Sequence, residues 1–134
     1  MLKIVSGTVF GLLLSSCIAQ ADGIHRYDVM KTAVSGERTF IGTSWKLKSD
    51  CSFDVVPSVT IIDPPQHGRV ELIQQKVAAH PSGEYARCGT RQVQGITAYY
   101  TPRSDFVGRE TFSLRTSFKN GTMNLDTIHV NVLN

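Results

Sequence analysis

Three cysteines, one tryptophan and five prolines in 134 residues, with 8% aromatic and 19% charged residues, exclude a good deal before any motif is read. There is no Cys-x-x-Cys pair, and the four histidines, His25, His67, His80 and His129, lack the spacing that sets two ligands on one face. Zinc and dithiol redox sites therefore have no sequence support. No Gly-x-Ser-x-Gly elbow is present, nor any Gly-x-x-x-x-Gly-Lys loop, so hydrolase and phosphate-binding signatures are missing as well. The length accommodates one domain, which argues against a two-domain enzyme with a cofactor cleft. Charge is sparse too. Fourteen Lys and Arg against eleven Asp and Glu give a formal net charge of +3, and the basic residues are scattered, which is too weak a field to argue for a nucleic acid partner.

What is present begins with a leader. Lys3 supplies one positive charge, and Ile4 to Leu14 form an apolar run of secretory length, short of the ~20 residues that a membrane-spanning helix needs. Two readings of its end stand side by side. Ala19-Gln20-Ala21 matches small-x-small cleavage, which removes residues 1–21 and starts the mature chain at Asp22. Leu14-Ser15-Ser16-Cys17 resembles a bacterial lipobox, in which Cys17 becomes the acylated first residue and residues 18–35 serve as a stalk. Both readings export the protein to the periplasm or beyond, the second as a lipoprotein, and neither leaves a transmembrane span in the mature chain. Cysteine counting agrees: with Cys17 discarded or lipidated, Cys51 and Cys88 remain, and an oxidising compartment joins them in a disulfide.

Beyond the leader, period-two alternation recurs and helical periodicity does not. Ile128, Val130 and Val132 alternate with Thr127, His129 and Asn131, and Phe112 and Leu114 alternate with Ser113 and Arg115. Asn120-Gly121 between these two segments predicts a tight hairpin, a role that suffices for the formal sequon Asn120-Gly121-Thr122. Ser58–Ile62 and Gly68–Ile73 flank Asp63-Pro64-Pro65-Gln66-His67 and read as a second hairpin. Ile96–Thr101 is a further strand ended by Pro102, and Thr39–Leu47 and Glu84–Cys88 are weaker candidates. The expectation is an all-β, Greek-key sandwich of about seven strands spanning residues 36–134, preceded by a flexible segment at 22–35.

Three separated motifs carry a family likeness. Pro64-Pro65-Gln66-His67-Gly68-Arg69-Val70, then Tyr100-Thr101-Pro102, then Asp105-Phe106-Val107-Gly108-Arg109-Glu110-Thr111-Phe112 resemble, in that order, the bacterial Ig-like and cadherin-like repeat. The likeness covers roughly residues 55–133. It implies an Ig-like sandwich in which Pro65, His67, Gly68, Tyr100, Pro102, Asp105, Phe106, Gly108 and Phe112 are fold determinants, and an extracytoplasmic spacer, adhesion or recognition role. Two departures stand out. Glu110 occupies a position where the family usually has Asp, and the Asp-rich segment that could bind calcium is absent, only Asp50 and Asp54 lying near that point.

Candidate reagents have simpler explanations. Asp105 with Glu110 could imitate a glycosidase pair, but an Asx-turn at Asp105 accounts for the residue. His67 is expected to hydrogen-bond backbone within its proline turn, and Arg87, Arg91 and Arg103 read as separate solvated side chains. Tyr99, on the face of its strand opposite Tyr100, and Trp45 are the aromatics to weigh as a ligand surface. The sequence thus points to a monomeric, non-enzymatic envelope module without a cofactor or metal, with a protein or an envelope glycan as partner. The alternatives are a fimbrial subunit that assembles by strand donation, with residues 22–35 as donor, and a small carbohydrate-binding module.

Overall fold

Alternation is clearest in the strand Gly108–Ser117, where Glu110, Phe112, Leu114 and Thr116 are buried while Arg109, Thr111 and Arg115 are exposed. Its antiparallel partner, Met123–Leu133, sets Ile128 opposite Phe112 and Val130 opposite Glu110, so the even-numbered residues of both strands share one face. These are the last two of seven strands in a computed structural model that describes residues 23–134, and the expected leader and Cys17 lie outside them. In chain order they are β1 (Ile24–Val34), β2 (Thr39–Ser44), β3 (Ser58–Asp63), β4 (Gly68–Ala79), β5 (Arg91–Pro102), β6 (Gly108–Ser117) and β7 (Met123–Leu133). They form a four-stranded sheet, β1-β7-β6-β3, and a three-stranded sheet, β2-β5-β4. The all-β, two-sheet sandwich with one disulfide is as expected. Its core joins Ile41, Ala98 and Tyr100 of the smaller sheet to Ala33, Phe112, Leu114, Ile128, Val130 and Val132 of the larger.

Three local expectations are corrected. Residues 24–34, expected to be flexible, form β1 and pair in parallel with β7 from Ile24 opposite Met123 to Val34 opposite Leu133. The alternation was hard to read because the core contacts come from Val29 and Ala33, with Lys31 between them. A continuous backbone ladder holds the strand more than side-chain burial does. The proposed β3–β4 hairpin is likewise absent: β3 pairs with β6 and β4 with β5, so Pro64 to His67 carry the chain from one sheet to the other. Turn chemistry dictates a reversal but is indifferent to which sheet receives the next strand. Glu84–Cys88, read as a strand, belongs to a 3₁₀ helix (Gly83–Cys88) in which only Cys88 is buried.

The connections sort to two ends. Backbone bonds from Ser35 to Leu133, Gly36 to Pro102 and Arg103 to His67 gather the β1–β2, β3–β4 and β5–β6 connections at one end. At the other, Met123 N donates to Gly23 O, which sets the start of β1 beside the β6–β7 turn. The disulfide-linked loops lie at this second end, over a smaller cluster of Leu47, Val77, Ala79, Cys88 and Val93.

One carboxylate sits awkwardly. Asp126 pairs with Leu114 on the inner face and lines an inter-sheet cleft of about 200 Å³ with Ile41, Ala98 and Ile128. Burial raises its carboxyl above the ordinary value of 3.8. The unfolded chain therefore ionises this residue first, and its contribution to stability falls as pH rises through the native value. Asp126→Asn is expected to raise the thermal midpoint by a few degrees at neutral pH and to leave it unchanged below pH 3.8, as read by circular dichroism.

Candidate functional site: the buried glutamate and the disulfide end

The three motifs converge on Glu110, whose side chain is 3% exposed. Its Oε1 accepts the Gln66 amide at 3.1 Å, and its Oε2 accepts the His67 amide at 2.7 Å, the His67 ring Nδ1 at 3.1 Å and the Tyr100 hydroxyl at 3.2 Å. One carboxylate thus ties the turn between the sheets to a strand of each. The His67 ring stacks on Phe106 with centroids 4.1 Å apart and planes 6° apart, while Tyr100 packs on Phe112 at 5.3 Å. His67 therefore bonds a side chain rather than the backbone of its turn, because the carboxylate comes within reach of both its amide and its ring.

The small residues of the motifs are explained by close approach. A Cβ on Gly68 would lie 2.4 Å from Thr101 O and 2.7 Å from Tyr100 Cε2, so glycine is needed for contact rather than for an unusual φ. Gly108 has φ of 137°, a conformation that side-chain-bearing residues rarely adopt, and lies against the Phe106 ring. Pro102 is fully buried at the end of β5, and Pro65 is half-buried in the crossing turn. Asp105 does not form the expected Asx-turn. Its side chain is 78% exposed and meets Arg103 at 3.3 Å, and the turn closes through Phe106 N donating to Arg103 O. Of the imagined carboxylate pair, one member is solvated and the other has four donors.

Glu110 also marks Tyr100. Burial first, and then the nearby carboxylate, push this phenol well above its ordinary value of 10. The stability linked to Tyr100 is complete below that value and declines at higher pH, as the unfolded chain releases a proton that the native chain holds. In an absorbance titration of the four tyrosines, Tyr100 is expected to ionise only together with loss of the native dichroism.

At the opposite end, Cys51 and Cys88 are joined, with Cα atoms 5.3 Å apart. Two of the arginines read as solvated brace this junction. Arg87 donates to the carbonyls of Glu84 and Ser49, and Arg91 to those of Cys51 and Cys88, the last at 2.8 Å. Carbonyls left over in irregular loops need donors, and the scattered guanidinium groups supply them. Asp50 and Asp54 serve the same loop. Ser52 donates hydroxyl and amide to Asp50, which holds that carboxyl below its ordinary value, and Asp54 meets Lys46 at 2.9 Å.

Trp45 and Tyr99 do not share a surface. Tyr99 lies opposite Phe40 in the β2–β5 register, near the start of β2, whereas Trp45 follows its last residue. The Arg38 guanidinium lies over the Tyr99 ring at 3.7 Å and Phe40 packs against it edge-to-face at 6.2 Å, and Tyr99 lines a separate groove with Phe40, Gln75 and Thr97. Trp45 instead lines a pocket of about 260 Å³ with Tyr85 of the 3₁₀ helix and Phe118 of the β6–β7 connection. Lys46, Ser82, Asn120 and Thr122 complete its polar lining. Tyr85 and Phe118 were not singled out in the sequence as ligand residues, since only the tertiary fold brings three distant loops together.

Among the described residues, no group of three or more His, Cys, Asp or Glu side chains is arranged to hold a metal. No helix there is long and apolar enough to cross a membrane. The sequence matches no protein-family model and shows no significant similarity to a curated protein.

Proposed function

We propose that this chain is an exported, non-enzymatic recognition module of Ig-like or cadherin-like type, acting in the periplasm or at the cell surface of a bacterium. The observation that carries this reading is the gathering of Trp45, Tyr85 and Phe118, from three separate loops, around one pocket at the disulfide end. Binding residues are commonly displayed on loops held by a rigid scaffold; a cross-link with two arginine braces holds the loops of Trp45 and Tyr85, and the paired strands β6 and β7 hold that of Phe118. The polar motif residues have structural duties: Glu110, His67 and Tyr100 engage one another, which supports a role in folding over one in chemistry. Of residues 22–35, considered as a donor segment, Ile24–Val34 lie beside β7 of their own chain, and this favours a stand-alone module over a strand-exchanging subunit.

A photo-crosslinking amino acid at Glu84, beside the pocket, is expected to capture an envelope component in the exporting bacterium. The same group at Thr111, on the outer face of the larger sheet, should capture none. Equal capture at both positions, or none at either, would overturn the reading. Intact-mass measurement of the exported protein checks its maturation, with a start at Asp22 or a diacylated Cys17 and two hydrogens fewer for the bridge.

A further inference from the structure

We propose that the Trp45–Tyr85–Phe118 pocket binds one neutral pyranose ring of an envelope glycan, an inference that rests on the recognition role above and specifies its ligand. Size is the first argument. A volume of about 260 Å³ lies below the ~300–1,000 Å³ of pockets that enclose drug-sized ligands, and suits a single substituted six-membered ring. The walls are the second. Trp45, Tyr85 and Phe118 are all half-buried, Trp45 and Tyr85 against the small cluster around Leu47 and Val77, and each retains exposed surface. A pyranose offers apolar C–H faces to aromatic surface and a rim of hydroxyls to polar groups, and this pocket has both kinds of lining.

The rim supplies donors and acceptors without a free charge. Asn120 Oδ1 accepts from the Thr122 amide at 3.0 Å and from its hydroxyl at 2.6 Å, which leaves the Asn120 NH₂ to donate to a ligand and the Thr122 oxygen to accept from one. Ser82, at the N-terminus of the 3₁₀ helix, makes no side-chain capping bond, so its hydroxyl is available. Lys46 is the one charged residue of the lining, and Asp54 meets it at 2.9 Å. That pairing removes the reason to prefer an anionic sugar. A purely apolar peptide side chain would cover Ser82, Asn120 and Thr122 without satisfying them, which disfavours that occupant.

The single tryptophan makes the test direct, because every change in indole emission reports this pocket. The oxidised protein would be titrated with methyl glycosides of glucose, galactose, mannose and N-acetylglucosamine, with glycerol as control. At least one glycoside is expected to shift the emission saturably, with a dissociation constant on the order of a millimolar for a lone ring, and glycerol is not. Phe118→Ala and Tyr85→Ala should weaken that binding tenfold or more. Ser82→Ala should weaken it several-fold while leaving the thermal midpoint in place, so a loss of binding there cannot be ascribed to unfolding. Absence of a saturable shift with every glycoside, an equal shift with glycerol, or undiminished binding by Phe118→Ala would each overturn the proposal. If the glycosides fail while Glu84 still crosslinks selectively, the pyranose assignment falls and the recognition role stands; if both fail, both fall.

Discussion

Serine in place of Cys51 or Cys88 is expected to lower the thermal midpoint by about 15 °C, as would reduction of the native protein. The two cysteines are 37 residues apart in sequence, and closing such a loop restricts the unfolded chain by about 4 kcal/mol on the chain-entropy account. That is a large part of the ~5–15 kcal/mol typical of a domain this size. The bridge is also embedded in structure. Cys88 is buried within the small cluster around Leu47, Val77 and Val93, and Arg91 spans the carbonyls of both bridged residues. Loss of the link should therefore loosen the 45–57 and 80–90 loops before the sheets separate. In the double serine variant, Trp45 emission is expected to shift to the red below the main transition recorded by circular dichroism. An unchanged midpoint in Cys51→Ser, with a titratable thiol at Cys88, would refute this account.

How far the molecule could be read in advance depended on whether the deciding contacts were local. β6 and β7 were legible because both strands present a regular apolar face and a short connection, Phe118 to Thr122, carrying Asn120-Gly121, joins them. β1 was missed for the converse reason. Its stability comes from an 11-residue ladder with the far end of the chain, and its own inward face contributes only Val29 and Ala33 to the core. The β3–β4 connection was correctly read as a reversal and wrongly as a hairpin, since Pro64 and Pro65 constrain the turn but not the identity of the neighbouring strand. The aromatic pocket was half legible. Trp45 could be named as a rare exposed aromatic candidate, whereas Tyr85 and Phe118 join it only through the disulfide and the hairpin. Arg87 and Arg91 show the same limit, for scattered basic residues read as solvent-facing until the carbonyls they brace are in place.

Glu110→Ala is expected to destabilise the protein by about 3–5 kcal/mol, because it leaves the Gln66 and His67 amides and the Tyr100 hydroxyl without their shared acceptor in a nearly closed site. The graded variants separate the components. Glu110→Gln keeps the shape and one oxygen but turns an NH₂ toward donors, so part of the loss should remain. Tyr100→Phe removes a single donor and should cost about 1 kcal/mol on its own. In a Glu110→Gln background the same tyrosine change should cost less, giving a coupling of about 0.5–1 kcal/mol in the double-mutant cycle. The geometry shows why the length of the Glu110 side chain matters. It reaches two successive amides across the sandwich, and Glu110→Asp should shorten that reach enough to loosen the Gln66–His67 turn while the disulfide end, and with it Trp45 emission, stays native. Chemical denaturation of the five variants, the double variant included, reads all of these values. An additive cycle, or a Glu110→Ala midpoint within a degree or two of the parent, would show that the turn is held by the His67–Phe106 stack and the buried Pro102 instead.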